Sequence, residues 1–170
     1  MAKAGKILAL LGGILVIVGT YFFTLGEVIV DTSYFWGVGG ILNLGAVFQY
    51  ATSGASDAWQ AWIVGIVIII YLISGLIILL GIKSRIAALF GSLVPLAISV
   101  IFILAIFGVS VLGMYGLYFL FLGSEPVIAN VFPFTFEYPS LAPGGLGWGA
   151  MMVALGSLLA LISVFLTRED

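Results

Sequence analysis

The sequence predicts an all-α integral membrane protein: a four-helix transmembrane bundle with both termini on the cytoplasmic side and two extracytoplasmic loops. Three observations carry that expectation. Hydrophobic residues make up 64% of the chain and charged residues only 7%, against roughly 25% charged in soluble domains. All the cations sit at three places, namely Lys3 with Lys6, Lys83 with Arg85, and Arg168. Five of the seven acids (Glu27, Asp31, Asp57, Glu125 and Glu137) fall in the two intervals between those places. Basic ends and a basic turn inside, with acidic loops outside, is the positive-inside pattern of a multi-pass cell-membrane protein.

A spanning helix needs about 20 apolar residues. Residues 7–25 supply the first and end in the aromatic group Tyr21, Phe22 and Phe23. This run is longer than a signal-peptide core, and no small-x-small cleavage site follows it, so it reads as a retained first span. An outer loop, 26–61, leads to the second span, 62–82, with Trp59 and Trp62 at its outer end and Lys83 at its inner end. After the inner turn 83–85 comes an uncharged stretch, 86–122, then the outer loop 123–145. The last span, 146–167, has Trp148 outside and Arg168 inside. Trp at one rim and Lys or Arg at the other is interface anchoring. The whole chain, 1–170, reads as a single membrane domain.

Three stretches depart from the simple plan. At ~1.5 Å per residue, 86–122 is far longer than a ~30 Å hydrocarbon core requires. Either it projects beyond the membrane as one helix or it breaks near Gly113. Projection is favoured, because no charged or turn-forming residue divides it. The uncharged, Gly- and aromatic-rich segment 34–50 would place Lys83 and Arg85 outside if it spanned. It is therefore expected on the membrane surface or as a shallow re-entrant segment packed on the bundle. In the second outer loop, Val131–Tyr138 alternates with strand periodicity, with Phe132, Phe134, Phe136 and Tyr138 on one face. Pro133 confines it to a sheet edge or an extended loop. With Glu27–Thr32 it suggests a small outer hairpin or sheet.

Two sets of residues are candidates for contact. Gly5, Gly12, Gly19 and Gly26 recur every seven residues along the first span, and Ala142, Gly149, Gly156 and Ser163 do so along the last. Small residues let helix backbones approach closely in lipid, and a seven-residue period holds the seam on one face. The two stripes are expected to pack against each other or against another subunit. The aromatic face of Phe132, Phe134, Phe136 and Tyr138, with Tyr34, Phe35 and Trp36 of the other loop, is the candidate surface for a partner or lipid. The alternative is that the loops pack on each other.

Chemistry is scarce. Cys and His are both absent, which removes thiolate and imidazole ligands and the usual general base. The spans contain no ionisable Asp, Glu, Lys or Arg, where proton relays and ion-coupled carriers place them. The span serines, Ser74, Ser92, Ser99, Ser110 and Ser157, read as hydroxyls bonded to their own helices. No enzyme, metal site, cofactor or nucleic-acid contact is expected; the net charge is only −2.

Four spans with two outer loops resemble, in topology alone, tetraspan proteins such as claudins. The claudin first-loop signature, Gly-Leu-Trp with paired cysteines, is not matched: Trp36-Gly37 stands without them. The leading expectation is a non-catalytic integral subunit that packs into and stabilises a larger membrane complex. The alternatives are a self-associating tetraspan scaffold or adhesion protein, and a pore or carrier for small neutral solutes or lipids.

Overall fold

A computed structural model of the chain describes residues 4–28, 33–106, 120–123, 126–129 and 143–166. The described helices are α1 (Ala4–Tyr21), α2 (Gly37–Ala51), α3 (Ala58–Leu80), α4 (Arg85–Ile106) and α5 (Trp148–Phe165). Of these, α1, α3, α4 and α5 are each long and apolar enough to cross a membrane. The chain is therefore a multi-pass membrane protein by helix composition. In lipid every backbone polar group must be satisfied within the protein. Runs rich in Ile and Val therefore become helices despite their strand preference in water.

The outer hairpin is a four-stranded antiparallel sheet. Its strands are β1 (Gly26–Val28), β2 (Ser33–Phe35), β3 (Leu122–Gly123) and β4 (Pro143–Leu146), in the order β3-β2-β1-β4. It joins the two outer loops. Gly26 pairs with Phe35 and Leu146, Glu27 with Tyr34 and Gly145, and Tyr34 also with Gly123. The alternating segment Val131–Tyr138 lies outside the described residues.

The sheet stands on a core of Leu25, Phe35, Ile68, Tyr71, Phe102, Phe121 and Val153. Four aromatics interlock there. The Phe35 and Phe102 ring centroids are 5.7 Å apart, those of Tyr71 and Phe121 5.2 Å, and those of Phe102 and Phe121 5.9 Å. The last contact corrects the expectation for 86–122. A straight helix would separate positions nineteen residues apart by ~28 Å, so Phe102 and Phe121 cannot touch along one. The stretch is not a single projecting helix. The polypeptide returns to the bundle by Leu120, and Gly113 lies outside the described residues.

Of the two places expected for segment 34–50, packing on the bundle is the one found, in the form of β2 followed by α2. One stripe of α3 explains its place: Leu79, Gly75, Leu72, Ile68, Gly65 and Trp62. At the Leu79 end α1 occupies the stripe. A Cβ on Gly13 would meet Leu79 and the Gly75 carbonyl, and one on Gly75 would meet Ile17. The Tyr21 hydroxyl donates to the Leu72 carbonyl at 2.7 Å. Beyond Leu72 the neighbour is α2, with Gly40 against Ile68 and Phe48 against Gly65. Phe48 and Trp62 are tilted at 5.4 Å, and the Trp62 indole donates to the Ala51 carbonyl at 3.1 Å. Both helices run antiparallel to α3, and Gly37 sits on the Thr20 backbone. Thus α1 and α2 form one interrupted helix, with residues 22–36 inserted between its halves.

Depth follows from the same register. Lys6 lies seven residues before Gly13, and Lys83 lies eight after Gly75. Both are ~10–12 Å from the α1–α3 contact and on the same side of it. Lys6, Lys83 and Arg85 thus share one end of the molecule, and the sheet and Asp57 lie toward the other. A ~30 Å core measured from Lys83 reaches about Ile63 on α3, so Trp59 and Trp62 stand at the far rim. The first helix ends at the level of Leu72, roughly 13 Å short of that rim. The sheet and the start of α2 fill the difference.

Candidate functional site

Three places in the fold bear on function: the α1–α5 seam, the sheet over it, and the helix break beside Trp36. The seam is a run of close backbone approaches. A Cβ built on Gly12 would stand 2.5 Å from the Gly156 carbonyl oxygen, and one on Gly156 would stand 2.7 Å from that of Gly12. Gly19 and Gly149 face each other in the same way, at 2.8 and 2.6 Å. Gly5 is buried, and Ser163, also buried, donates to the Ala160 carbonyl at 2.5 Å. Gly26 falls beyond the end of α1, in β1, where the helical repeat no longer places it. Ala142 lies outside the described residues.

At the top of the seam the backbone closes on itself. The amides of Gly147 and Gly149, at the start of α5, donate to the carbonyls of Leu25 and Thr24 at 3.0 and 2.8 Å. The Thr24 hydroxyl reaches the carbonyls of Gly26 (2.7 Å) and Phe35 (3.1 Å). The Gly147 position has no room for a side chain beside the Thr24 carbonyl. The Pro143–Gly147 run is therefore a tightly paired strand rather than a flexible entry to the last helix.

The aromatic contact residues do not form one exposed patch. Phe35 is 1% exposed and Trp36 7% exposed; both are core residues, because β2 is an inner strand whose Phe35 face rests on Phe102. Only Tyr34 of the three is partly open. Phe132, Phe134, Phe136 and Tyr138 lie outside the described residues, as do Lys3 and Arg168. Trp59, Trp62 and Trp148 are exposed. Near Trp59, the exposed Tyr50 donates to the Asp57 carboxylate at 2.6 Å. That hydrogen bond, with desolvation and the carboxylate's charge behind it, holds the Tyr50 phenol above its ordinary range.

The helix break was missed by sequence reasoning. Trp36 caps α2 without a side-chain hydrogen bond to the helix. Its amide donates to the Phe121 carbonyl at 2.9 Å, while its buried indole Nε1 meets no partner among the described residues. Asn43, about two helical turns along, donates to the carbonyls of Leu120 and Leu122 at 3.0 and 2.9 Å. The only available signal was Trp36-Gly37 itself, an aromatic followed by a glycine-rich helix start. The Ser157 hydroxyl is a second buried donor without a partner among the described residues, whereas Ser74, Ser92 and Ser99 each bond a carbonyl one turn back. No group of His, Cys, Asp or Glu suited to a metal occurs among the described residues. No family model, curated protein or solved structure matches this chain.

Proposed function

We propose that the chain is a non-catalytic integral subunit that packs into a larger membrane assembly and stabilises it through helix contacts. The observation that carries this reading is Gly45. It sits on the outward face of α2 with nothing within 4 Å of a built Cβ. Its neighbours on that face, Ile41, Leu42 and Ala46, are exposed. A helical glycine costs about 1 kcal/mol relative to alanine. Gly12 and Gly156 recover that cost through close backbone approach; Gly45 has no such contact among the described residues, and its φ is not positive. A notch flanked by apolar side chains at outer-leaflet depth suits a second helix approaching closely. The charge-free spans support a role by shape rather than by reaction.

The test is purification from native membranes in a mild detergent, with wild type beside Gly45→Leu. A co-purifying subunit that is lost in the variant, at unchanged thermal stability, is the expected result. A lone monodisperse monomer from wild-type membranes would refute the reading.

A further inference from the structure

We propose that the furrow between α1 and α3, at the basic end of the bundle, holds one anionic phospholipid, its phosphodiester gripped by Lys6 and Lys83 with Arg85 beside them. The antiparallel register of the two helices makes this juxtaposition. Lys6 stands seven residues before Gly13, close to two full turns. It therefore lies on the Gly13 side of α1, the side that meets Leu79 and Gly75 of α3. Following α3 from Gly75 by nearly the same rise leads past Leu80 to Lys83, which is exposed. Packed helices have axes about 8–10 Å apart, so two lysine side chains at one level can reach the same phosphate. Arg85 opens α4 two residues later and is exposed as well.

Charge at this end has one sign among the described residues. The described acids are Glu27 and Asp57, and both belong to the opposite end. Lys6 is engaged within the molecule, yet its ammonium has three donors, and one contact does not exhaust them. The start of α4 is not the grip, because Ser84 already accepts the Ala87 amide at 3.4 Å. Side chains from two elements supply it instead.

A free phosphate would use the cations alone. The apolar walls single out a lipid. On the interior side of the α1–α3 contact, Val16 and Ile78 pack with Ala160. On the other side Leu10 and Ile14 of α1 and Leu76 and Leu80 of α3 are exposed. These walls begin four residues after Lys6 and three before Lys83, and they run toward the middle of the bundle. An acyl chain laid along them puts its phosphate level with both lysines. Basic pockets between helices on the cytoplasmic side receive anionic headgroups in this way.

The test is native mass spectrometry of the full chain, released from maltoside micelles titrated with equal amounts of phosphatidylglycerol and phosphatidylcholine carrying the same acyl chains. One phosphatidylglycerol should be retained per chain in preference to phosphatidylcholine. Its affinity should fall about fivefold in Lys6→Gln and in Lys83→Gln, and Lys6→Arg and Lys83→Arg should keep it. Arg168→Gln removes the same charge elsewhere in the sequence and should leave retention nearly unchanged. Glycerophosphoglycerol, the same headgroup without acyl chains, should not displace the lipid. Equal retention of the two lipids overturns the proposal, as does unchanged affinity in either Lys→Gln variant. An equal loss in Arg168→Gln overturns it too, since that is diffuse attraction to a basic rim. Displacement by the chainless headgroup overturns the assignment to a lipid.

Discussion

Replacing Gly12 by alanine tests the seam most directly, with Gly45→Ala as its partner experiment. Both changes put one methyl on a helix glycine, and both recover about 1 kcal/mol of helix propensity. They differ in what the methyl meets. At Gly12 it lands 2.5 Å from the Gly156 carbonyl oxygen, 3.0 Å from the Ala160 amide nitrogen and 3.2 Å from Ala160 Cβ. Two of those three atoms are backbone, so no side-chain rotation relieves the clash. Roughly an ångström of helix separation is needed to restore ordinary contact, and dispersion falls steeply over such a gap. Overpacking of this kind costs about 1–3 kcal/mol. At Gly45 the methyl meets nothing. The propensity gain cancels in the comparison, so Gly12→Ala should be less stable than Gly45→Ala by about 1–3 kcal/mol. Reversible unfolding in mixed micelles, followed by circular dichroism against the mole fraction of denaturing detergent, reads that difference. Equal midpoints would refute the claim that the α1–α5 contact depends on backbone approach at Gly12.

The remaining expectations are briefer. Phe121→Ala empties the space between Tyr71 and Phe102 and should cost about 3–5 kcal/mol by the same unfolding assay; a loss under 1 kcal/mol would mean that the aromatic cluster does not hold the returning chain. Because the chain has no cysteine, single cysteines at Lys6, Lys83 and Asp57 can map sidedness with an impermeant maleimide on sealed vesicles. Lys6→Cys and Lys83→Cys should label together and Asp57→Cys from the opposite face, and any other grouping contradicts the topology. Tyr50 should ionise above the usual phenol range near 10 because Asp57 accepts its proton. A phenol whose folded pKa is raised stabilises fully below the unfolded value and loses that contribution as pH rises through the folded one. Phenolate absorbance, taken as the difference from Tyr50→Phe, should shift to lower pH in Asp57→Asn; no shift would show that the hydrogen bond is not kept in solution.

The spans were legible because they rest on a coarse quantity, the length of an uncharged run. The first span was expected at 7–25 and α1 is Ala4–Tyr21; the last was expected at 146–167 and α5 is Trp148–Phe165. Glycine was harder to read. Gly37, Gly39, Gly40 and Gly45 look like loop composition, yet they lie in a fifteen-residue helix. Gly37 and Gly39 are there because Thr20 and Phe121 leave no space for a Cβ, and at Gly40 the Phe121 ring would have to give by a few tenths of an ångström, a tertiary reason that no local pattern carries. The short strands β3 and β4 were invisible for a related cause: Leu122-Gly123 and Pro143–Leu146 are too short or too glycine-rich for a two-residue period. Tyr34, Phe35 and Trp36 were grouped by aromatic character alone, which does not say which side chain faces the core, so Phe35 and Trp36 were expected at a surface they do not reach.

A sheet at membrane depth also requires an account of its backbone groups, since lipid satisfies none of them. Four strands of two to four residues each could not be stable alone. Here α3 and α2 rise beside the sheet while α1 and α5 end beneath it, so the strands are enclosed where helix is missing. Backbone groups at and beside the strands are met by neighbours: the Leu25 amide by Phe35, the Gly149 amide by Thr24, and the Leu120 and Leu122 carbonyls by Asn43. The short first helix and the interrupted second half are therefore one device. Ending α1 at Tyr21 opens room for the sheet, and starting α2 at Gly37 closes the gap on the α3 side. Lengthening α1 would remove the irregular region altogether and give a simpler bundle. The chain instead keeps a four-stranded sheet and a helix start at this depth, so the backbone groups there are met by protein, through Asn43 and Thr24, where lipid would offer nothing.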